Sequence, residues 1–256
     1  MIAISSPSLS LLPLREALAA VQPGFGAWEI VAEGRHYLPD IAKGLEEHLA
    51  SHDLVCSVHA PLSDVNIGSL NPRLREVALR EVMVTIEQAG ALGLNPVTVH
   101  PGFYSPIGHL DKAGVRRKTK EGLHAIDKVA KDCGVKVALE NMPAMPITMA
   151  TDPQGLLELL EGTDLGICFD IGHANTTRNI DDYLALTAQF HNVHFHDNHG
   201  QYDQHLVIGE GTVPFASTLA KMDGYKGRFV IEARGMEGAL TSRDRLKALL
   251  RAAHFL

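Results

Sequence analysis

Short apolar runs that end in an acid or a histidine recur along this chain, and they limit its fold more than any other feature. Val97-Thr98-Val99 runs into His100, the segment 135–139 into Glu140, 165–169 into Asp170, and Phe229-Val230-Ile231 into Glu232. In Asp170-Ile171-Gly172-His173 an imidazole follows the carboxylate three residues later. One polar strand end carries little information. A series of them, all of metal-ligand type, implies a site built at one rim of a parallel β structure.

The strand-like runs cover residues 2–5, 27–31, 54–59, 96–100, 135–140, 165–170, 192–196 and 228–232. Helical patterns lie between them. Leu74, Val77, Ala78, Val82, Ile86 and Ala89 form one apolar stripe at helical spacing. Leu123, Ile126 and Ala130 repeat the pattern before Gly134, a residue suited to a helix C-cap. Thr151-Asp152-Pro153 reads as a helix start. Strands alternating with helices imply right-handed βαβ units and a parallel sheet. Eight such units close into a (β/α)8 TIM barrel. An open doubly wound sheet is the alternative, but Ser5-Ser6-Pro7-Ser8 follows the first strand where that fold would place a Gly-rich phosphate loop.

The chain has 256 residues, close to the roughly 250 of one such barrel. No Pro/Gly/Ser-rich linker divides it, so one domain spanning 1–256 is expected. A formal net charge of −7 gives no overall attraction to nucleic acid or to an anionic membrane. Cys56, Cys133 and Cys168 are far apart and form no CxxC, which reads as reduced thiols. No signal-like leader and no membrane-spanning run is evident. The expectation is a cytoplasmic enzyme, with its oligomeric state left open.

In a barrel, catalytic groups sit at the C-terminal strand ends. His59, His100, Glu140, Asp170, His194 and Glu232 fall there; His173 follows Asp170, and Asp203-Gln204-His205 lies in the long loop after His194. So many carboxylates on one rim would repel one another and resist ionisation unless cations compensated them. Mixed imidazole and carboxylate donors suit Zn2+ best, admit Mn2+ or Fe2+, and disfavour Ca2+.

Taken in order, His59-Ala60-Pro61, His100-Pro101-Gly102, Glu140-Asn141, Asp170-x-x-His173, His194, Asp203-x-His205, Gly209-Glu210-Gly211 and Glu232 resemble the xylose isomerase-like TIM barrel superfamily. That superfamily includes endonuclease IV (AP endonuclease family 2) and many sugar-phosphate isomerases and epimerases. The resemblance covers nearly the whole chain. Endonuclease IV carries three zinc ions, and each of its protein ligands has a match here. The resemblance implies that His59, His100 and Glu140 hold one ion. Glu140, Asp170, His194 and Glu232 would hold a second, with Glu140 bridging, and His173, Asp203 and His205 a third. Epimerases of the superfamily need only the second set.

Two chemistries fit this rim. An isomerase or epimerase would use one metal, with Glu140 and Glu232 as catalytic proton acceptor and donor. An endonuclease would use three metals to cleave a phosphodiester at an abasic site. Departures from endonuclease IV favour a small sugar-like substrate over DNA. Gly172 stands where that enzyme has Cys, and Gln204 where it has Arg. Its Arg-rich loop after the second strand is here Val31-Ala32-Glu33-Gly34-Arg35-His36-Tyr37. After the first His it offers an aromatic, whereas this chain has Leu62-Ser63-Asp64. His196-Asp197-Asn198-x-Gly200 is similar to the sugar-phosphate isomerase/epimerase-like branch. His196 is expected to pack rather than ligate, and Asp197 and His199 to orient ligating imidazoles. Trp28 is expected to pack on a helix, and Tyr37 and Phe103 to line the pocket. Lys112, Arg116, Arg117, Lys118 and Lys120 read as a solvated helix face.

Overall fold

The expected runs form strands. In the computed structural model, which describes residues 1–222 and 224–255, these are β1 (Ile2–Ser5), β2 (Ala27–Val31), β3 (Val55–His59), β4 (Val97–Val99), β5 (Val137–Glu140), β6 (Gly166–Asp170), β7 (Phe190–Phe195) and β8 (Phe229–Glu232). They close into one parallel barrel in chain order, with β8 paired to β1. His100 and His196 lie just past β4 and β7.

Helices α1 (Leu14–Val21), α2 (Leu38–Leu49), α3 (Pro72–Ala91), α4 (Lys112–Cys133), α5 (Pro153–Leu160), α6 (Ile171–Thr177), α7 (Ile180–Leu184), α8 (Phe215–Lys221) and α9 (Met236–Ala252) lie between and after the strands. Their ends follow local chemistry. The Asp152 carboxylate accepts from Gly155 N ahead of α5, with Pro153 in the first turn. Gly134 ends α4 at φ +66°, a conformation that favours glycine. The α3 stripe is buried only at Ala78, Val82, Ile86 and Ala89; Leu74 and Val77 face solvent.

The strands are buried on both faces, as a parallel barrel requires. Outward-facing Ile4, Trp28, Ile30, Val58, Phe169 and Phe195 join the core shared with the helices. Trp28 meets the ring of His36 edge-on at 5.4 Å, so its neighbour is the short 3-10 turn Gly34–His36. Inward, Ala3, Ala27 and Val230 form a separate small cluster. Beside it stand Glu29, Ser57, Thr98, Asn192 and His194, all fully buried. The interior therefore becomes polar toward the C-terminal ends. No helix of the described residues is long and apolar enough to cross a membrane.

Candidate metal centre and active site

Parallel register brings the polar strand ends together. Asp170 is level with His194, Ser5 with Glu232, and Val31 with His59. Three donor groups result, each with its ligand-type atoms within 4.8 Å of one another: His59, His100 and Glu140; Glu140, Asp170, His194 and Glu232; and His173, His196, Asp203 and His205. All nine sequence-predicted site residues therefore converge, and His196 joins them.

Glu140 is the hub. Its Oε2 lies 3.2 Å from His59 Nε2 and 3.0 Å from His100 Nε2, while its Oε1 lies 3.3 Å from His194 Nδ1. This is the bridging position that the resemblance implies. Backbone carbonyls fix two of the rings. His59 Nδ1 donates to Ala60 O at 2.9 Å, and His173 Nδ1 donates to Asn141 O at 2.8 Å. Both rings then present Nε2 to the site. The Asp170 carboxylate caps α6 by accepting from His173 N at 2.6 Å, which sets the spacing of the acid–imidazole pair.

Charges interlock throughout the cluster. Burial pushes the Glu140 carboxyl up, but His194 and His100 outweigh it and hold it well below the usual carboxylate range. Glu232 is likewise pulled down, chiefly by His194 against burial. Burial would lower His173, yet Asp170, Asp203 and Glu140 raise it well above the ordinary imidazole value. The Cys168 thiol also approaches Glu140 and His194, but burial pushes its pKa far up and keeps it a neutral S–H.

The donor set fits metal cations. His194 Nδ1, Asp170 Oδ2, Asp203 Oδ1 and both ring nitrogens of His196 are buried without a hydrogen-bond partner among the described residues. Unpaired buried polar atoms are costly; here they face one another across space that cations would fill. The mouth opens into a cavity of about 600 Å3, lined beyond the donors by Ser6, Phe103, Met142, Met145, Ile147 and Arg234. A metal-binding barrel without catalysis would need no such cavity. Tyr37 is not part of this lining; it precedes α2 instead.

Three expectations need correction. Positions 194 and 196 are two apart and share a strand face, so His196 points inward with His194 rather than packing away from it. Asp197 pairs with no imidazole among the described residues. Its carboxylate accepts from Asn198 N, Gly209 N, Gly211 N and Val213 N at 2.8–3.1 Å, folding the loop that carries Asp203 and His205. A side chain at Gly211 would collide with Asp197 and with Asn198 O, which accounts for that glycine. His199 is exposed, and its backbone N donates to Gln204 Oε1 at 2.9 Å. Glu29 was missed altogether; its Oε1 lies 2.9 Å from His194 Nε2.

The basic segment of α4 stays outside the site. Arg116, Lys118 and Lys120 pair with Glu158, Glu121 and Glu161. Near the mouth, the Glu33 carboxylate accepts from Leu62 N, Ser63 N and Ser63 Oγ. Those bonds overcome burial and lower its pKa, so the loops after β2 and β3 carry fixed negative charge.

A family model described as a xylose isomerase-like TIM barrel matches residues 17–254. The crystal structure of a D-tagatose 3-epimerase-like protein superposes with a TM-score of 0.91 at 34% identity, covering 99% of this chain and 98% of that one. An uncharacterized protein of Methanocaldococcus jannaschii is 37% identical over 94% of this chain and 87% of its own length. A probable endonuclease 4 of Staphylococcus saprophyticus is 27% identical, spanning 69% of this chain and 64% of that protein.

Proposed function

This chain belongs to the xylose isomerase-like TIM barrel family, and on that premise we propose that it is a divalent-metal-dependent isomerase or epimerase of a sugar or sugar phosphate. The arrangement of acids around one imidazole carries the reading. Glu232 Oε1 and Glu140 Oε1 lie 3.1 and 3.3 Å from His194 Nδ1, with Asp170 Oδ2 at 3.9 Å. These four side chains would hold one cation, Zn2+ by donor type, with Mn2+ or Fe2+ as alternatives. Bound there, it supplies Lewis acidity that polarises a substrate carbonyl and the neighbouring hydroxyl and makes the C–H beside the carbonyl acidic.

Glu140 and Glu232 then perform the proton transfers. One carboxylate takes the proton from the carbon beside the carbonyl. The other, ionised at rest, takes up a proton from solvent and returns it to the opposite face for epimerisation, or to the neighbouring centre for isomerisation. His59 and His100 hold the second oxygen of Glu140, and His205 Nδ1 lies 3.5 Å from Glu232 Oε2. The cavity of about 600 Å3 is ample for a monosaccharide. Arg234 brings positive charge to its lining, which suits a phosphorylated or acidic sugar. The likeness to a D-tagatose 3-epimerase-like protein supports the same reading.

The test is deuterium uptake from heavy water into a panel of keto-sugars and their phosphates, followed by proton NMR with metal-loaded protein. Uptake at the carbon beside the carbonyl is expected. No uptake into any member of the panel would overturn the reading.

Cleavage of DNA at abasic sites is the second reading, favoured by the third donor group and by the likeness to a probable endonuclease 4. Against it stand Glu33 and the exposed Asp64 near the mouth, which repel a phosphodiester backbone, and the paired basic residues of α4. Cutting of an abasic duplex by zinc-loaded protein at low salt would reinstate it.

A further inference from the structure

The third donor group contains one residue more than the resemblance supplies. His173 comes from the first turn of α6, His196 from the end of β7, and Asp203 and His205 from the following loop. His205 Nε2 lies 3.1 Å from Asp203 Oδ2, His173 Nε2 lies 3.5 Å from the same oxygen, and His196 Nε2 lies 3.4 Å from Asp203 Oδ1. A tetrahedral zinc ion, with bonds of about 2.0–2.1 Å, holds its donor atoms about 3.3 Å apart. These three contacts are close to that edge length, and one ligand atom from each of the four residues lies within 4.8 Å of the others.

Two further observations place His196 in the set. Both its ring nitrogens are buried and make no well-aligned hydrogen bond among the described residues, nor does Asp203 Oδ1; Nε2 stands between Asp170 Oδ1 at 3.1 Å and Asp203 Oδ1 at 3.4 Å. Its ring also occupies the space beside Gly172. A Cβ at Gly172 would collide with Cε1, Nε2 and Nδ1 of His196. The resemblance puts a cysteine at this position, and a cysteine side chain would exclude the ring from where it lies. Gly172 thus leaves the room that the His196 ring occupies.

Coordination number decides what such a site can do. Three protein donors leave a zinc ion one position for water or substrate; four fill the tetrahedron. We propose that His173, His196, Asp203 and His205 form a closed, four-ligand zinc site that fastens the β7–α8 loop to the barrel and binds no substrate. The loop is otherwise held by the Asp197 carboxylate, by the bridge between Asp197 and Leu206, and by hydrogen bonds of Ile208 with Ser242 and Arg245 of α9. A closed site leaves reaction chemistry to the groups that contain Glu140. This inference does not rest on the sugar reading, and failure of the proton-exchange test leaves it standing.

The test is metal substitution in the intact protein. Cobalt(II) is loaded into the site, with the Glu140 groups emptied first by mild chelation, and visible absorption is recorded while inorganic phosphate is added. The expected result is the intense spectrum of a four-coordinate centre, unmoved by phosphate. His196→Ala should weaken retention of this ion at least tenfold or make the spectrum respond to phosphate. Gly172→Ala should do the same while keeping every ligand. The weak bands of a five- or six-coordinate ion in the unaltered protein, or a shift on adding phosphate, would overturn the proposal without need of a variant. His196→Ala with unchanged retention and an unchanged spectrum would do so too.

Discussion

Glu29 Oε1 lies 2.9 Å from Nε2 of His194, and both side chains are fully buried inside the barrel. The carboxylate stands on the side of the imidazole away from Glu140 and Glu232. Its charge favours a proton on Nε2 and leaves the Nδ1 lone pair facing the other donors. Asn192 Nδ2 and Ser57 Oγ donate to the second Glu29 oxygen at 2.6 and 3.3 Å, so the carboxylate is itself held in place. Outer partners of this kind typically change metal affinity by about 10–100-fold. Glu29→Gln should therefore weaken the ion held with His194 by that factor, measured by competition with a coloured chelator. An unchanged affinity would show that His194 needs no such partner.

Removing either proton-transfer group should stop the chemistry and spare the fold. Glu140→Gln and Glu232→Gln keep side-chain volume but lose the basic carboxylate. Deuterium uptake should fall by about 10²–10⁴, with far-UV circular dichroism unchanged. Glu140→Gln should also lower metal content, because that carboxylate faces two donor groups, whereas Glu232 belongs to one. Uptake retained in both variants would exclude them as acid and base.

Stability should depend on pH without metal and much less with it. Burial lowers His59, His173, His194 and His205, but neighbouring carboxylates raise all four above the ordinary imidazole value. A raised folded-state pKa gives stability that is complete below the unfolded value, about 6.5, and is lost as pH rises through the folded values. Chelator-treated protein should thus lose melting temperature as pH rises above the ordinary imidazole value of about 6.5. Cations must displace these protons, so binding tightens over the same range. Zinc-loaded protein should hold its melting temperature, and the gap between the two should widen with pH. Parallel curves would contradict this.

Asp197→Ala should release the β7–α8 loop. Four backbone N–H groups lose their common acceptor. The cost is on the order of 3 kcal/mol, read from urea denaturation. The ion held with Asp203 and His205 should be lost, while the ion held with His194 remains, as counted by elemental analysis. Retention of both ions would mean that the loop folds without its clasp.

Much of this architecture was legible in the chain. The runs ending at His59, Glu140, Asp170 and Glu232 are strands because apolar, β-branched residues fill them, and each polar residue stands where the apolar run stops. Asp152-Pro153 and Gly134 mark helix ends through purely local chemistry. His196 was also within reach, since residues two apart share a strand face. Gly172 was visible as a departure from the pattern, but its meaning was not, because it shapes room for a ring 24 positions along the chain.

The sequence by itself determined the barrel, the rim that carries the site and the donor types found there, because apolar runs and the polar residues that end them are local properties. Only the tertiary structure decided which donors lie within reach of one another. Glu29 meets His194 and Asn192 from the far side of the barrel, with 163 positions separating it from Asn192. Asp203 and His205 reach His173 from a loop that the Asp197 carboxylate holds together. Grouping by ion depends on distances of a few ångströms between strands, and those are set by barrel closure and side-chain packing rather than by any spacing along the chain.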